Sequence, residues 1–133
     1  MTTPFPSADQ YAAAPIKYPA LTVIDIQSEQ AAVSVDYQNQ VLAKTNGECL
    51  RLAVFEGEYR WHYHSDSDEL FLVVQGLLQI DLADGPSMAL APWQCVVIPA
   101  GSIHRTRAIG RTVNLTYEKL GALTTFVGTE TEP

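Results

Sequence analysis

The feature that most constrains this chain is a succession of short β-type segments separated by glycine-containing turns. Asn46-Gly47 and Asp84-Gly85 are two of these turns. Such dipeptides favour tight hairpins because their residues tolerate positive φ. Helical periodicity is almost absent beyond Leu21, which indicates a sandwich or a closed barrel. A chain of 133 residues fits one domain, and we predict an all-β jelly roll.

The N-terminal region differs from the rest because its prolines are too dense for a long helix. A short helical turn is allowed over 8–13. We predict an N-terminal arm over 1–20 and one barrel domain over 21–133. The predicted strands are 21–27, 31–35, 41–44, 49–55, 59–64, 69–75, 77–82, 87–90, 95–98, 103–108, 111–118 and 123–127.

The charge balance and the absence of targeting signals limit the partners. The chain has 15 acidic and 8 basic residues, with a formal net charge of −7. This balance argues against nucleic acid and against an anionic membrane surface, both of which attract clustered Lys and Arg. No apolar run approaches the roughly 20 residues that span a bilayer, and the N-terminus does not resemble a signal peptide. We therefore predict a cytoplasmic protein with Cys49 and Cys95 as free thiols, Cys95 in the core.

The three histidines of the chain fall at positions that a barrel can bring together. His62 and His64 are two residues apart, so on a strand they share one face. Glu69 begins the next predicted strand, and His104 lies on a later one. Three imidazoles and a carboxylate suit Zn, Ni, Fe, Mn or Cu. The alternative is that each histidine is an ordinary surface or core residue, but their joint placement favours a metal site.

Two longer motifs resemble those of a known family. Gly57-x4-His62-x-His64-x4-Glu69-x6-Gly76 resembles the first cupin motif, and Pro99-x-Gly101-x2-His104 resembles the core of the second. The likeness is to small single-domain cupins of the phosphomannose-isomerase-like or sugar-isomerase-like type. It implies a double-stranded β-helix (jelly-roll) barrel that binds one divalent transition metal ion. The implied ligands are His62, His64, Glu69 and His104.

Residues that share strand parity with these ligands are candidates for the pocket. Alternation places Arg60 on the face of His62, where it would meet an anionic substrate; alternatively it points to water at the strand start. Phe71 and Val73 share the parity of Glu69 and would form an apolar wall. Thr106 shares the parity of His104 and would orient a ligand.

A metal with four protein ligands keeps open coordination positions, which is typical of catalytic sites. We therefore predict a metal-dependent enzyme of isomerase, dioxygenase or lyase type that acts on a small polar metabolite. The sequence shows no separate general base. The alternative is a non-catalytic, sugar-like binding barrel with a structural or anchoring metal. The family resemblance further implies a homodimer, formed through an outer sheet face or through exchanged N-terminal strands.

Overall fold

An antiparallel sheet curls into a barrel in the computed structural model, which describes residues 5–128. The predicted all-β jelly roll is confirmed. No helix within this range is long and apolar enough to cross a membrane. The helices are α1 (Ala8–Ala12) and α2 (Ile26–Ala31), and the strands are β1 (Tyr37–Thr45), β2 (Glu48–Glu58), β3 (His62–Tyr63), β4 (Glu69–Gln75), β5 (Leu78–Leu82), β6 (Met88–Leu90), β7 (Cys95–Ile98), β8 (His104–Lys119) and β9 (Thr125–Phe126).

Strand β8 connects the two halves of the barrel because it is 16 residues long and pairs with four other strands. Its first half pairs with β3 and β5, its second half pairs with β4, and β2 runs beside both halves. The sequence predicted two strands here, separated by a turn at Ile109-Gly110. The structure instead has one strand that bends at this point, where Gly110 has a φ of 75°. The bend carries the strand from one half of the barrel to the other.

Two apolar clusters lie on opposite sides of the sheet. The inner cluster fills the barrel and includes Phe71, Val73, Leu78 and Ile80. The outer cluster is covered by the segment that precedes β1, and it contains Val33, Leu42, Leu52, Val54 and Val113. Burial of both faces explains why the predicted strands read as nearly continuous apolar runs.

The two strands predicted over 21–27 and 31–35 are wrong. Residues 26–31 form α2, which begins after the N-cap Asp25, whose carboxylate accepts a hydrogen bond from the Ser28 amide at 3.2 Å. Ile24 packs on the outer cluster while Leu21 and Val23 are fully exposed. The alternating pattern therefore reflects packing of an irregular segment onto the sheet, without the ladder of hydrogen bonds that defines a strand.

The N-terminal arm folds back along its own barrel. The predicted helical turn is α1, closed by a capping box between Ser7 and Gln10. Farther along, the Lys17 and Tyr18 amides donate to carbonyls of β1 at 2.9 and 3.0 Å. The first barrel strand begins at Tyr37. Residues 1–4 and 129–133 lie outside the described range, and the predicted boundaries of 1–20 and 21–133 stay predictions.

The two cysteines lie in different environments, and that of Cys95 differs from the prediction. Both are free thiols, but Cys49 is buried and Cys95 is exposed. Cys95 lies on β7, which pairs only with β4 among the described strands. Period-two alternation turns Ile98 inward and leaves Cys95 and Val97 on the outer face. The prediction that Cys95 is a core residue is therefore wrong.

Gly76 packs too tightly for any side chain, which allows a test of the barrel. A Cβ at this position would lie 2.6 Å from Thr112 Oγ1 and 2.7 Å from the Arg111 carbonyl oxygen. Gly57 is the matched control, since its φ of 96° is close to the 91° of Gly76 but nothing lies within 4 Å of its Cβ position. We expect Gly57→Ala to lower the free energy of unfolding by about 1–2 kcal/mol through backbone strain alone. Gly76→Ala should lose about 1–3 kcal/mol more through overpacking.

Denaturant unfolding of both variants measures this difference. Equal losses would contradict the close contact at Gly76.

Candidate metal centre

The four residues predicted as metal ligands lie together inside the barrel. His62 is on β3, Glu69 begins β4, His104 begins β8 and His64 follows β3 directly. All four are buried, and one potential ligand atom from each lies within 4.8 Å of the others. His62 and His104 are direct register partners between β3 and β8. The strand pairing itself therefore sets the centre of the cluster.

The two loops that flank the cluster are tied to each other. The Asp68 carboxylate accepts a hydrogen bond from the Ala100 amide at 2.9 Å. The Gly101 amide donates to the His64 carbonyl at 2.9 Å. The turn before Glu69 and the turn before His104 are thus fixed together, which explains why motifs distant in sequence converge. Asp68 is occupied by this role and does not join the cluster.

Each histidine is oriented by a backbone carbonyl. The distances from Nδ1 to oxygen are 2.7 Å for His62 to Arg60, 3.1 Å for His64 to Leu123 and 2.9 Å for His104 to Ser102. A carbonyl only accepts, so we assign the proton of each neutral ring to Nδ1. All three Nε2 atoms then carry lone pairs, as a metal ligand requires.

The atoms that face each other at the cluster are otherwise unused. His64 Nε2, His104 Nε2 and Glu69 Oε1 are buried with no hydrogen-bond partner among the described residues. Glu69 Oε1 lies 3.3 Å from His64 Nε2 and 3.6 Å from His104 Nε2. Two ligands that are each about 2.1 Å from one ion, at an angle of roughly 90–120°, lie roughly 3.0–3.6 Å apart. The donor set and its spacing therefore fit a transition metal ion.

The electrostatics of the cluster shift the pKa values of His62 and His64 in opposite directions. Burial, and then the neighbouring His104, lower the pKa of His62 to about 3. Burial also opposes protonation of His64, but the Glu69 carboxylate, with Oε1 3.3 Å from His64 Nε2, outweighs it and raises the pKa of His64 to about 9. Burial disfavours ionisation of Glu69 as well, yet the close approach of the His104 and His64 imidazoles, 3.6 and 3.3 Å from Oε1, holds its pKa well below the usual range. A carboxylate thus persists beside the imidazoles.

Comparison with known proteins agrees with this geometry. The Cupin domain family matches residues 51–117, which carry all four cluster residues. The chain belongs to the cupin family. Its relative "Uncharacterized protein YdbB" of Bacillus subtilis (strain 168) is 45% identical over 95 residues, or 71% of this chain and 84% of that protein.

Solved structures share the cupin fold of this chain. A cupin-2 domain containing protein from Shewanella frigidimarina has 31% identity and a TM-score of 0.69, with 73% of this chain and 94% of that chain covered. An uncharacterized conserved protein with a double-stranded β-helix domain from Klebsiella pneumoniae has 14% identity and a TM-score of 0.67, with 80% and 97% covered. The second likeness shows the fold alone, and it confirms the double-stranded β-helix prediction.

A small cavity opens beside the cluster. Its volume is about 40 Å³. A single water needs roughly 10–15 Å³ of cavity volume, so the cavity has room for a few waters. Among the predicted pocket residues, Phe71 and Thr106 line this cavity. Val73 is fully buried in the inner apolar cluster and is not among the lining residues. Val73 therefore packs within the inner apolar cluster and does not contribute to the cavity wall.

Arg60 is also absent from the cavity lining and has other contacts. Its guanidinium carbon lies 3.6 Å from the centroid of the Phe126 ring, and Nη2 donates to the Pro6 carbonyl at 2.5 Å. Strand β3 contains only His62 and Tyr63, so strict alternation does not extend back to Arg60. The structure therefore places Arg60 between the N-terminal arm and the C-terminal segment, outside the lining of the cavity.

A buried polar network next to the cluster was missed from the sequence. Arg51 Nε lies 3.0 Å from Glu118 Oε2, and the Tyr11 hydroxyl donates to the same oxygen at 2.6 Å. Burial, and then the charge of Glu69, raise the pKa of Glu118 above its usual range, against the opposing effect of Arg51. Period-two alternation along β8 could have revealed Glu118, since it shares the parity of His104. Tyr11 gave no such signal.

The raised pKa of His64 predicts a pH dependence for metal binding. With a pKa of about 9, this imidazole is mostly protonated at pH 7 in the metal-free protein. Ligation needs the neutral ring, so binding must release a proton and the apparent affinity should rise about tenfold per pH unit between roughly pH 6 and 8. Calorimetric titration in buffers of different protonation enthalpy measures the proton count. An affinity that does not change across this range would contradict the assignment.

Proposed function

We propose that this cupin is a metal-dependent enzyme that acts on a small polar metabolite. The observation that carries the proposal is the set of three carbonyl-oriented imidazoles and one carboxylate with unused atoms at a cavity. Zn, Ni, Fe, Mn and Cu all suit such donors. A bound ion would supply Lewis-acid chemistry, or electron transfer in the case of a redox metal. Isomerase, lyase and dioxygenase reactions follow from these two kinds of chemistry.

The wall of the cavity supports a polar but uncharged ligand. Asn114 Oδ1 and Thr116 Oγ1 are buried without a hydrogen-bond partner among the described residues, and both side chains line the cavity. A ligand with hydroxyl or amide groups would satisfy them. No Lys or Arg is among the described lining residues, and the nearby Arg51 is already paired with Glu118. An anionic group would therefore find attraction only at the metal.

A second candidate function is a non-catalytic, sugar-like binding barrel whose metal is structural or an anchor. The small volume of the cavity, about 40 Å³, favours the structural role of the metal within this alternative. Beside an ion, that space holds only a few waters. The two functions differ in whether the ion keeps an exchangeable coordination position.

Adjacent acidic residues provide a matched test of the metal site. Glu69 faces the three imidazoles, whereas Asp68 accepts from the Ala100 amide. We expect about one transition metal per wild-type chain, retention of that metal in Asp68→Asn, and about 10–100-fold weaker binding in Glu69→Gln. A double variant, His62→Ala with His104→Ala, should lose the ion. Elemental analysis and competition titration measure these outcomes, and equal loading of all variants would refute the site.

Water-proton relaxation of the Mn²⁺-loaded protein then separates the two functions. A fast-exchanging bound water supports the enzyme, because a catalytic ion needs an open position. A closed ion with no such water would favour the structural role.

We also propose a homodimer through the outer face of β4 and β7. Leu70 of β4 pairs with Val97 of β7 and with Tyr117 of β8. The three side chains form an apolar row across three strands. Val97 is 52% exposed. A second copy is the favoured occupant because an uncharged face lets two chains of net charge −7 approach each other.

A cytoplasmic location stays a prediction.

Val97 and Ile109 are both 52% exposed, so they form a matched pair for this test. We expect Val97→Lys to produce monomers and Ile109→Lys to leave the dimer intact, because only Val97 lies on the proposed face. Sedimentation at micromolar concentration measures this, and a monomeric wild type would overturn the proposal.

A further inference from the structure

The N-terminal arm reaches into the interior of the barrel through one side chain. Tyr11 is 6% exposed, although it belongs to the short helix α1 outside the matched family region. Its side chain lines the same cavity as His62 and Glu69. The arm is therefore part of the wall of the metal centre as well as an outer strap.

Tyr11 stacks directly on a ligand residue. Its ring lies 5.6 Å from the ring of His64, centroid to centroid, with an interplanar angle of 23°. At the edge of the imidazole, Nδ1 lies 3.1 Å from the Leu123 carbonyl and 3.1 Å from Thr124 Oγ1. The carbonyl fixes which nitrogen faces the cavity, while the stacked ring restricts tilting of the imidazole plane. Together these contacts define the direction of Nε2.

The position of Tyr11 is held in turn by Arg51. The guanidinium carbon lies 3.6 Å from the Tyr11 ring centroid, and Nη2 donates to the Tyr11 carbonyl at 2.8 Å. The Tyr11 hydroxyl donates to Glu118, the ion-pair partner of Arg51. Tyr11 is thus in contact with Arg51, His64 and Glu118, and it is anchored at both its hydroxyl and its backbone.

A buried Arg–Glu pair is expensive because both charges are removed from water. Arg51 is 1% exposed and Glu118 is also 1% exposed. Apolar residues of similar volume in place of a buried ion pair are often neutral or stabilising. Their contacts with Tyr11 give the pair a specific use, which is to bind the arm from inside the barrel.

We propose that Tyr11 is a positioning residue of the metal centre, so that docking of the N-terminal arm and binding of the ion at His64 are coupled. The inference rests on the proposed metal site. Coupling is reciprocal. Loss of Tyr11 weakens ion binding, and a bound ion strengthens docking of the arm.

Tyr18 provides a matched control on the same arm. Its hydroxyl also donates to a glutamate, Glu29, at 2.5 Å, but it packs on the outer cluster and does not line the cavity. Both tyrosines therefore anchor the arm, and only Tyr11 contacts a ligand residue. Tyr11→Phe keeps the stacked ring and removes the hydroxyl, which separates the two contacts.

The experiment loads the full-length protein with Co²⁺ and measures its affinity and its visible absorption bands. We expect Tyr11→Ala to weaken binding about 10–100-fold and to shift the bands, while Tyr18→Ala changes neither. Tyr11→Phe should bind more tightly than Tyr11→Ala, since the stack remains. In the wild type, added Co²⁺ should slow hydrogen exchange of the amides in α1, a measurement that needs no variant.

Unchanged affinity and bands in Tyr11→Ala, or α1 amides that exchange equally fast with and without Co²⁺, would overturn the role of Tyr11. A wild type that binds no ion would instead remove the proposed metal function.

Discussion

Strand β8 determines both the closure of the barrel and the composition of the site. It places His104 opposite His62 at one end and Glu118 opposite Glu69 near the other. Antiparallel pairing fixes the register of residues 104–108 and 112–119 of this strand, and a shift of one residue would turn their inward side chains outward. The metal cluster, the cavity wall and the buried ion pair therefore each include residues of this one strand.

Much of this arrangement could be predicted from the sequence because it follows from the period-two alternation of side chains in β-strands. Strands β4 and β7 were predicted with the bounds that the structure has, since alternation and turn residues delimit them closely. The convergence of the four candidate ligands follows from the same periodicity together with the two cupin motifs. The strand bounds depend on local pattern alone, whereas the convergence of the ligands depends on the pairing of His62 with His104 on the distant β8.

The features that were missed depend on tertiary packing. Segment 21–35 resembles strands in composition, yet it covers an outer cluster that only the closed barrel creates. Alternation was predicted to place Arg60 on the face of His62, but it does not extend that far because β3 contains only two residues. Tyr11 and Arg51 meet across 40 residues of sequence, and no local pattern in the arm indicates that its tyrosine enters the barrel.

Orientation of the imidazoles by carbonyl oxygens has a consequence for how this protein can change. Every residue type carries a backbone carbonyl, so the acceptors at Arg60, Ser102 and Leu123 persist whatever side chain stands there. The tautomer of each imidazole is thus insulated from side-chain changes at these three positions, whereas the tilt of the His64 ring also depends on the Tyr11 side chain. The cavity wall, built from side chains such as Asn114 and Thr116, has no such protection. Selection, or a designer, can therefore alter what the barrel accepts while leaving the donor atoms in place.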